Sequence, residues 1–137
     1  MTPAILRLML RPTLSKVKLG PEDVISIDFA NRPREWTITR RLIAVWTHIP
    51  NEVAGGSKNA GLRYAIAKAL GMISGAADYV FLWDGGSAAI EMKAPKGTQS
   101  GNQSDFQKWC ELMDVPYYVT RSADEAEEKL RTLGILK

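Results

Sequence analysis

The chain of 137 residues has one cysteine, Cys110, and one histidine, His48. A single thiol excludes an internal disulfide framework and a cysteine-rich zinc site, and a single imidazole excludes a histidine-based metal centre. So little cysteine points to a reducing, cytoplasmic setting. Cys110 also falls inside an apolar helical pattern, which argues against a catalytic thiol or a haem attachment. Long hydrophobic runs are missing as well. No stretch reaches the roughly 18 apolar residues of a transmembrane candidate, so no membrane role is expected. Near the start, Ile5, Leu6, Leu8, Met9 and Leu10 are interrupted by Arg7 and followed by Arg11. Arg7 breaks what would be the core of a signal peptide, and the segment reads instead as a short amphipathic piece packing on the domain or a partner. There are no internal repeats and no low-complexity tracts.

What is present suits one domain spanning residues 1–137. Hydrophobic residues make up 45% and charged residues 24%, enough to bury a core. The net charge is +3, and it is unevenly spread. Residues 1–50 carry eight basic side chains (Arg7, Arg11, Lys16, Lys18, Arg32, Arg34, Arg40, Arg41) against four acids (Glu22, Asp23, Asp28, Glu35). A basic segment of this kind is compatible with a polyanionic partner. Pro12, Pro21 and Pro33 interrupt any long helix there, so residues 1–47 read as irregular. One strand-like apolar run, Leu42 to Ile49, overlaps the end of that stretch.

From Ser57 the pattern is regular. Leu62, Ala65, Ile66, Ala69 and Leu70 recur at helical spacing, and Gly71 is the stop signal. Asp78 to Trp83 is rich in strand formers, Asp84-Gly85-Gly86 is a hairpin turn signal, and Ser87 to Lys93 is the returning strand. Ser100 and Gln103 form a capping box that opens a helix with Phe106, Trp109, Cys110 and Met113 as its apolar stripe. Pro116 to Thr120 is another strand. Ser122 and Glu125 form a second capping box, opening a helix lined by Ala126, Leu130 and Leu133 and ended by Gly134. The order helix, strand, strand, helix, strand, helix predicts an α/β fold with a small mixed sheet flanked by helices.

The hairpin concentrates charge. With Asp84-Gly85 as the turn, Asp78 lies opposite Glu91; with Gly85-Gly86, it lies opposite Lys93. Either register puts Asp78, Glu91 and Lys93 on one face, at the end away from the turn, because opposed residues share a side and sides alternate. The remainder of that face is Val80, Leu82 and Ala89, and the other carries Tyr79, Phe81, Trp83, Ile90 and Met92. A hairpin apolar on both faces is expected to be buried on both, where charges are costly unless paired or ligating. Two explanations fit. One is a structural salt bridge from Lys93 to Asp78 or Glu91. The other is a divalent-cation site, since two carboxylates with water and phosphate suit Mg²⁺, and a neighbouring lysine can orient water and stabilise phosphoryl charge.

The series Ser74-Gly75-Ala76-Ala77-Asp78, then Glu91-Met92-Lys93, then Gln103, resembles the PD-(D/E)XK nuclease signature. It is most similar to the VRR-NUC branch, in which G-x-x-D opens the hairpin, E-x-K closes it and Ser-x-x-Gln opens the next helix. Tyr118-Val119-Thr120-Arg121-Ser122 resembles a strand-to-helix junction further on, and His48-Ile49-Pro50-Asn51-Glu52 resembles an upstream stretch of phage members. The likeness spans residues 48–136, with Ala77 where a proline usually precedes the aspartate. It implies a restriction-endonuclease-like fold and a Mg²⁺- or Mn²⁺-dependent deoxyribonuclease acting on structured or branched DNA. It also implies a homodimer in the manner of Holliday junction resolvases. Asp78 and Glu91 would be metal ligands with the Met92 backbone carbonyl, Lys93 the catalytic lysine, and Gln103 a residue near water or phosphate. The acid that the family takes from an early helix has three candidates here, Glu22, Glu35 and Glu52.

The remaining polar residues divide between surface and DNA contact. Lys58 and Arg63 flank a helix start that could hold a DNA phosphate. Lys96 and Arg121 are further candidates against a background of ordinary solvated surface, and His48 has a structural or DNA-proximal role. Trp36, Trp46, Trp83 and Trp109 could stack on bases, but three lie in apolar runs and core is the better assignment. Gly55-Gly56-Ser57-Lys58 lacks the spacing of a phosphate-binding P-loop, which excludes nucleotide hydrolysis and a nucleotide cofactor. The rivals to a DNA nuclease are a non-catalytic nucleic-acid binder of the same fold and a nuclease acting on RNA or single strands.

Overall fold

Proline begins the structure's longest helix instead of preventing it. In the computed structural model, which describes residues 2–15, 17–50 and 59–137, a short helix α1 (Pro3–Leu8) precedes α2 (Pro21–Ile38). Pro21 occupies the first turn of α2, where its missing N–H has no helical acceptor to lose, and Glu22 and Asp23 follow at the positive end of the helix dipole. Pro33 lies inside α2 with its ring buried. The expectation that residues 1–47 are irregular is therefore wrong. Burial of Phe29, Ala30, Pro33 and Trp36 along one side of α2 outweighs the local propensity cost of an internal proline.

Strand β1 (Val45–His48) and helix α3 (Ala60–Ala69) come next, then the hairpin of β2 (Tyr79–Trp83) and β3 (Gly86–Met92). Helix α4 (Gly101–Leu112), strand β4 (Tyr117–Thr120) and helix α5 (Ala123–Thr132) complete the described elements. The sheet has the order β1-β2-β3-β4, with antiparallel pairs except for the parallel pair β3–β4. The mixed α/β sheet and the element order from α3 onward agree with the sequence reading.

The hairpin takes the first of its two registers. Trp83 pairs with Gly86 and Tyr79 with Ile90, so Asp84 and Gly85 form the turn, and Gly85 supplies the positive φ of 88°. Tyr79, Phe81, Ile90 and Met92 face α2 and α5 and join Phe29, Trp36, Ala126 and Leu130 in the core. Phe29 meets Tyr79 and Phe81 edge-on. Arg32 of α2 binds Asp124 and Glu127 of α5 at 2.7 and 3.1 Å.

The opposite face is only partly covered, which corrects the expectation of a hairpin buried on both sides. Ala89 and Glu91 are buried, but Leu82 near the turn is 54% exposed. Helical stripes are likewise less buried than their spacing predicts. Among the described residues α3 has no buried side chain, and Trp109 and Met113 of the α4 stripe are exposed while Cys110 is buried. Of the tryptophans, Trp36 is core, Trp46 and Trp83 pack against it, and Trp109 does not. The Ser100–Gln103 box is complete in both directions. The second box is half formed. Ser122 caps the Glu125 amide, but the Glu125 carboxylate accepts from the amide of Arg121 instead. Gly71 and Gly134 end α3 and α5 with positive φ, as their positions predict.

Candidate functional site

The register brings the predicted charges together at the sheet end remote from the hairpin turn. Asp78 immediately precedes β2, and its Oδ2 accepts a 2.6 Å hydrogen bond from the backbone amide of Met92 across the hairpin. Its carbonyl accepts from the amide of Ile49, so the aspartate backbone is pinned to the end of β1. Glu91 lies within β3 and is 0% exposed. Its Oε1 accepts from the Tyr117 hydroxyl at 2.7 Å, whereas its buried Oε2 has no hydrogen-bond partner among the described residues. Lys93 follows β3 and is 7% exposed, its amide donating to the Thr120 carbonyl of β4.

The structural salt bridge open to Lys93 is not the one formed. Among the described residues its ion pair is with Glu22 in the first turn of α2, at 3.9 Å, and not with Asp78 or Glu91. Of the three candidates for an acid from an early helix, Glu22 is thus the one beside the site. Glu35 lies on the same helix further from its N-terminus, and Glu52 is outside the described residues. The local field is negative. Burial pushes the Asp78 carboxyl up to about 6, with Glu91 and Glu22 adding to the rise and the Met92 amide and Lys93 opposing it.

Gly75 explains the spacing of its motif. Its φ is +87°, and a Cβ there would lie 2.4 Å from the Asn102 backbone and 2.6 Å from the Gln103 amide. Only glycine lets the loop leading to Asp78 pack against the first turn of α4. This contact puts Gln103 beside Asp78 on the wall of a cleft of about 1070 Å³. Gln103 also completes its capping box, its amide oxygen accepting from the Ser100 amide at 2.8 Å.

The same cleft is lined by Glu22, Asp23, Arg34, Trp46, His48 and Tyr79, and by Arg11 from the segment before α2. Arg11 and Arg34 are cations that the sequence reading did not single out. Arg34 follows Glu22 by three and a third helical turns, a relation visible only once α2 is recognised as continuous. The predicted phosphate contacts are dispersed. His48 is exposed at the end of β1 with its ring 5.1 Å from that of Tyr79. Arg63 and Lys96 are exposed outside the cleft lining, and Lys58 is outside the described residues. One Arg121 terminal nitrogen donates to the carbonyls of Ala94, Pro95 and Gly97 at 2.9, 3.4 and 2.6 Å. It braces the turn that packs on the aliphatic stem of Lys93, whose Cδ lies 3.7 Å from a Cβ built on Gly97.

Among the described residues no three or more His, Cys, Asp or Glu side chains converge as a metal cage. The convergent set is two carboxylates and a lysine, and Mg²⁺ commonly takes one or two protein carboxylates with water and phosphate. Glu91 Oε2, buried and unpartnered among the described residues, and the Asp78 carboxyl, which the Glu91 charge reaches, fit that donor set. Comparisons with protein-family models, curated proteins and solved structures return no match for this chain. No helix among the described residues is long and apolar enough to cross a membrane.

Proposed function

We propose that this chain is a divalent-metal-dependent nuclease of the restriction-endonuclease-like fold, similar to the VRR-NUC branch, hydrolysing phosphodiester bonds of structured or branched DNA. The observation that carries the reading is Glu91, a fully buried carboxylate with one unpartnered oxygen, beside Asp78 and Lys93. A buried carboxylate oxygen with no donor is expensive, and a cation shared with Asp78 would remove that expense. Asp78, Glu91 and the Met92 backbone carbonyl would hold Mg²⁺ or Mn²⁺. When bound, the ion supplies Lewis-acid polarisation of a phosphoryl oxygen and acidifies a water.

The chain's own groups account for the other requirements. The Lys93 ammonium orients the attacking water and donates to a phosphoryl oxygen as negative charge grows there. The water oxygen bonds to phosphorus as the ester P–O bond breaks, and the departing alkoxide takes up a proton to become a hydroxyl. Glu22, ion-paired to Lys93 and itself lining the cleft, holds the ammonium until a phosphate competes for it. The oxygen of Gln103 is committed to its capping box, so its amide nitrogen is the group available to a phosphate oxygen. Arg11, Arg34 and His48 line the approach and contribute the cations and the ring that a nucleic-acid strand needs. A homodimer in a cytoplasmic setting fits this reading, since one domain of this size covers little duplex.

The test is cleavage of labelled branched DNA, linear duplex, single strand and RNA with Mg²⁺ or Mn²⁺. Wild type is expected to cut branched DNA best, and Lys93→Ala to lose at least about 100-fold in rate. A wild-type protein that cuts nothing, or a lysine variant that cuts equally well, sinks the assignment. Cleavage confined to RNA or single strands replaces the substrate class.

A further inference from the structure

Glu91 is held by a residue that no part of the motif contains. Tyr117 begins β4, and in the parallel register Ala89 pairs with Tyr117 and Glu91 with Val119, so Tyr117 and Glu91 share the face turned away from the core. The phenol reaches along that face and donates to Glu91 Oε1 at 2.7 Å. The Gln99 side chain lies near the same phenol and donates to Gln107 Oε1 at 3.0 Å, and Gln107 in turn donates to Glu111 on α4. The Tyr117 ring lies 6.2 Å from that of Phe106. Polar side chains from the surface of α4 thus reach by way of Gln99 to the neighbourhood of Tyr117, whose hydroxyl ends on one oxygen of Glu91.

We propose that Tyr117 is a positioning residue that reserves Glu91 Oε1, so that the carboxylate meets a divalent cation through Oε2 alone and selects ions that accept one-oxygen ligation. The inference rests on the reading of Asp78 and Glu91 as a cation site. Its chemistry follows from the two oxygens of the carboxylate, one tied to Tyr117 and one not. A carboxylate with both oxygens free can clasp a large ion with both, the mode that Ca²⁺ takes readily. Mg²⁺ and Mn²⁺ sites are smaller and octahedral, with single-oxygen carboxylate contacts and retained water. Tying one oxygen to a phenol fixes the rotamer before the ion arrives and removes the two-oxygen option. Hydrogen-bonded partners of metal ligands typically govern 10–100-fold in affinity.

The experiment is calorimetric titration of Mn²⁺, Mg²⁺ and Ca²⁺ into the intact protein, without nucleic acid, for wild type, Tyr117→Phe, Gln99→Ala and Asp78→Asn. Tyr117→Phe keeps the ring and its packing and loses only the hydroxyl. It is expected to bind Mn²⁺ at least about 10-fold more weakly while Ca²⁺ binding holds or strengthens, reversing the preference. Gln99→Ala, which leaves Tyr117 and Glu91 intact, shifts the ratio in the same direction by a smaller factor and decides the matter if Tyr117→Phe fails to fold. An unchanged Mn²⁺-to-Ca²⁺ ratio in both folded variants overturns the positioning role alone. A wild type that binds none of the three ions, or an Asp78→Asn protein that binds them as well as wild type, overturns the cation site and this inference with it.

Discussion

Along β3, Ile90 and Met92 point to one side of the sheet and Ala89 and Glu91 to the other, and the two sides use burial differently. On the first side, aromatic and aliphatic groups of β2 and β3 close against α2 and α5, and the side chains gain by leaving water. On the second, Glu91 is as deeply buried as Ile90, yet its Oε2 meets no donor among the described residues. Burial on the first side stabilises the fold. Burial on the second holds a carboxylate in a state that the proposed cation would relieve. Equal exposure thus hides opposite energetics, and the two sides should respond oppositely to substitution.

The largest expected effect is on the packed side. Phe81, fully buried and in edge contact with Phe29, is predicted to cost about 3–5 kcal/mol on replacement by alanine, measured by chemical denaturation. A loss below about 1 kcal/mol would mean that this face is not the main core. On the charged side the sign reverses. Asp78→Asn is expected to stabilise the metal-free protein by about 1–2 kcal/mol at pH 7, a figure reduced for partial solvent exposure. The Asp78 carboxyl is raised from 3.8 to about 6 by burial, so the folded chain binds its proton more tightly than the unfolded chain. The stability this group lends is full below about pH 4 and is lost as pH rises through about 6. Denaturation midpoints of wild type and Asp78→Asn should therefore converge at pH 4 and separate by pH 7; parallel curves across that range count against the assignment.

The smallest effect separates support from binding at the sheet's end. Arg121→Ala removes a brace of three carbonyl contacts and is expected to cost about 1 kcal/mol. It should slow cleavage through the Lys93 stem while leaving the salt dependence of DNA affinity unchanged. A salt slope reduced by about one unit would instead identify Arg121 as a phosphate contact. From sequence it is a candidate phosphate contact against a background of ordinary solvated surface. Its actual acceptors are 24–27 residues away in sequence.

Legibility followed the range of the interactions. The hairpin turn, the Ser100–Gln103 capping box and the glycine stops depend on residues within a few positions of one another, and each was readable. Asp78, Glu91 and Lys93 could be grouped because a two-residue turn fixes the pairing arithmetic over the fourteen positions between Asp78 and Met92. Helix α2 was missed because its prolines were weighed locally, while its stability comes from burying Phe29 and Trp36 against distant strands. The half-formed cap at Ser122 failed for the converse reason. Glu125 found a nearer donor in the Arg121 amide, which spacing rules do not anticipate.

The sequence by itself determined which charges share an end of the hairpin, since strand alternation is a property of covalent geometry and needs no partner. Only the tertiary structure decided what surrounds them. It brought Glu22 to Lys93 from a helix 71 residues earlier, Tyr117 to Glu91 from the neighbouring parallel strand, and the first turn of α4 onto Gly75. None of these contacts has a local signature, because each depends on how helices pack across a sheet and not on the run of residues that carries it. The buried Glu91 oxygen left without a donor among the described residues is likewise a product of packing, and it is the feature on which the functional reading turns.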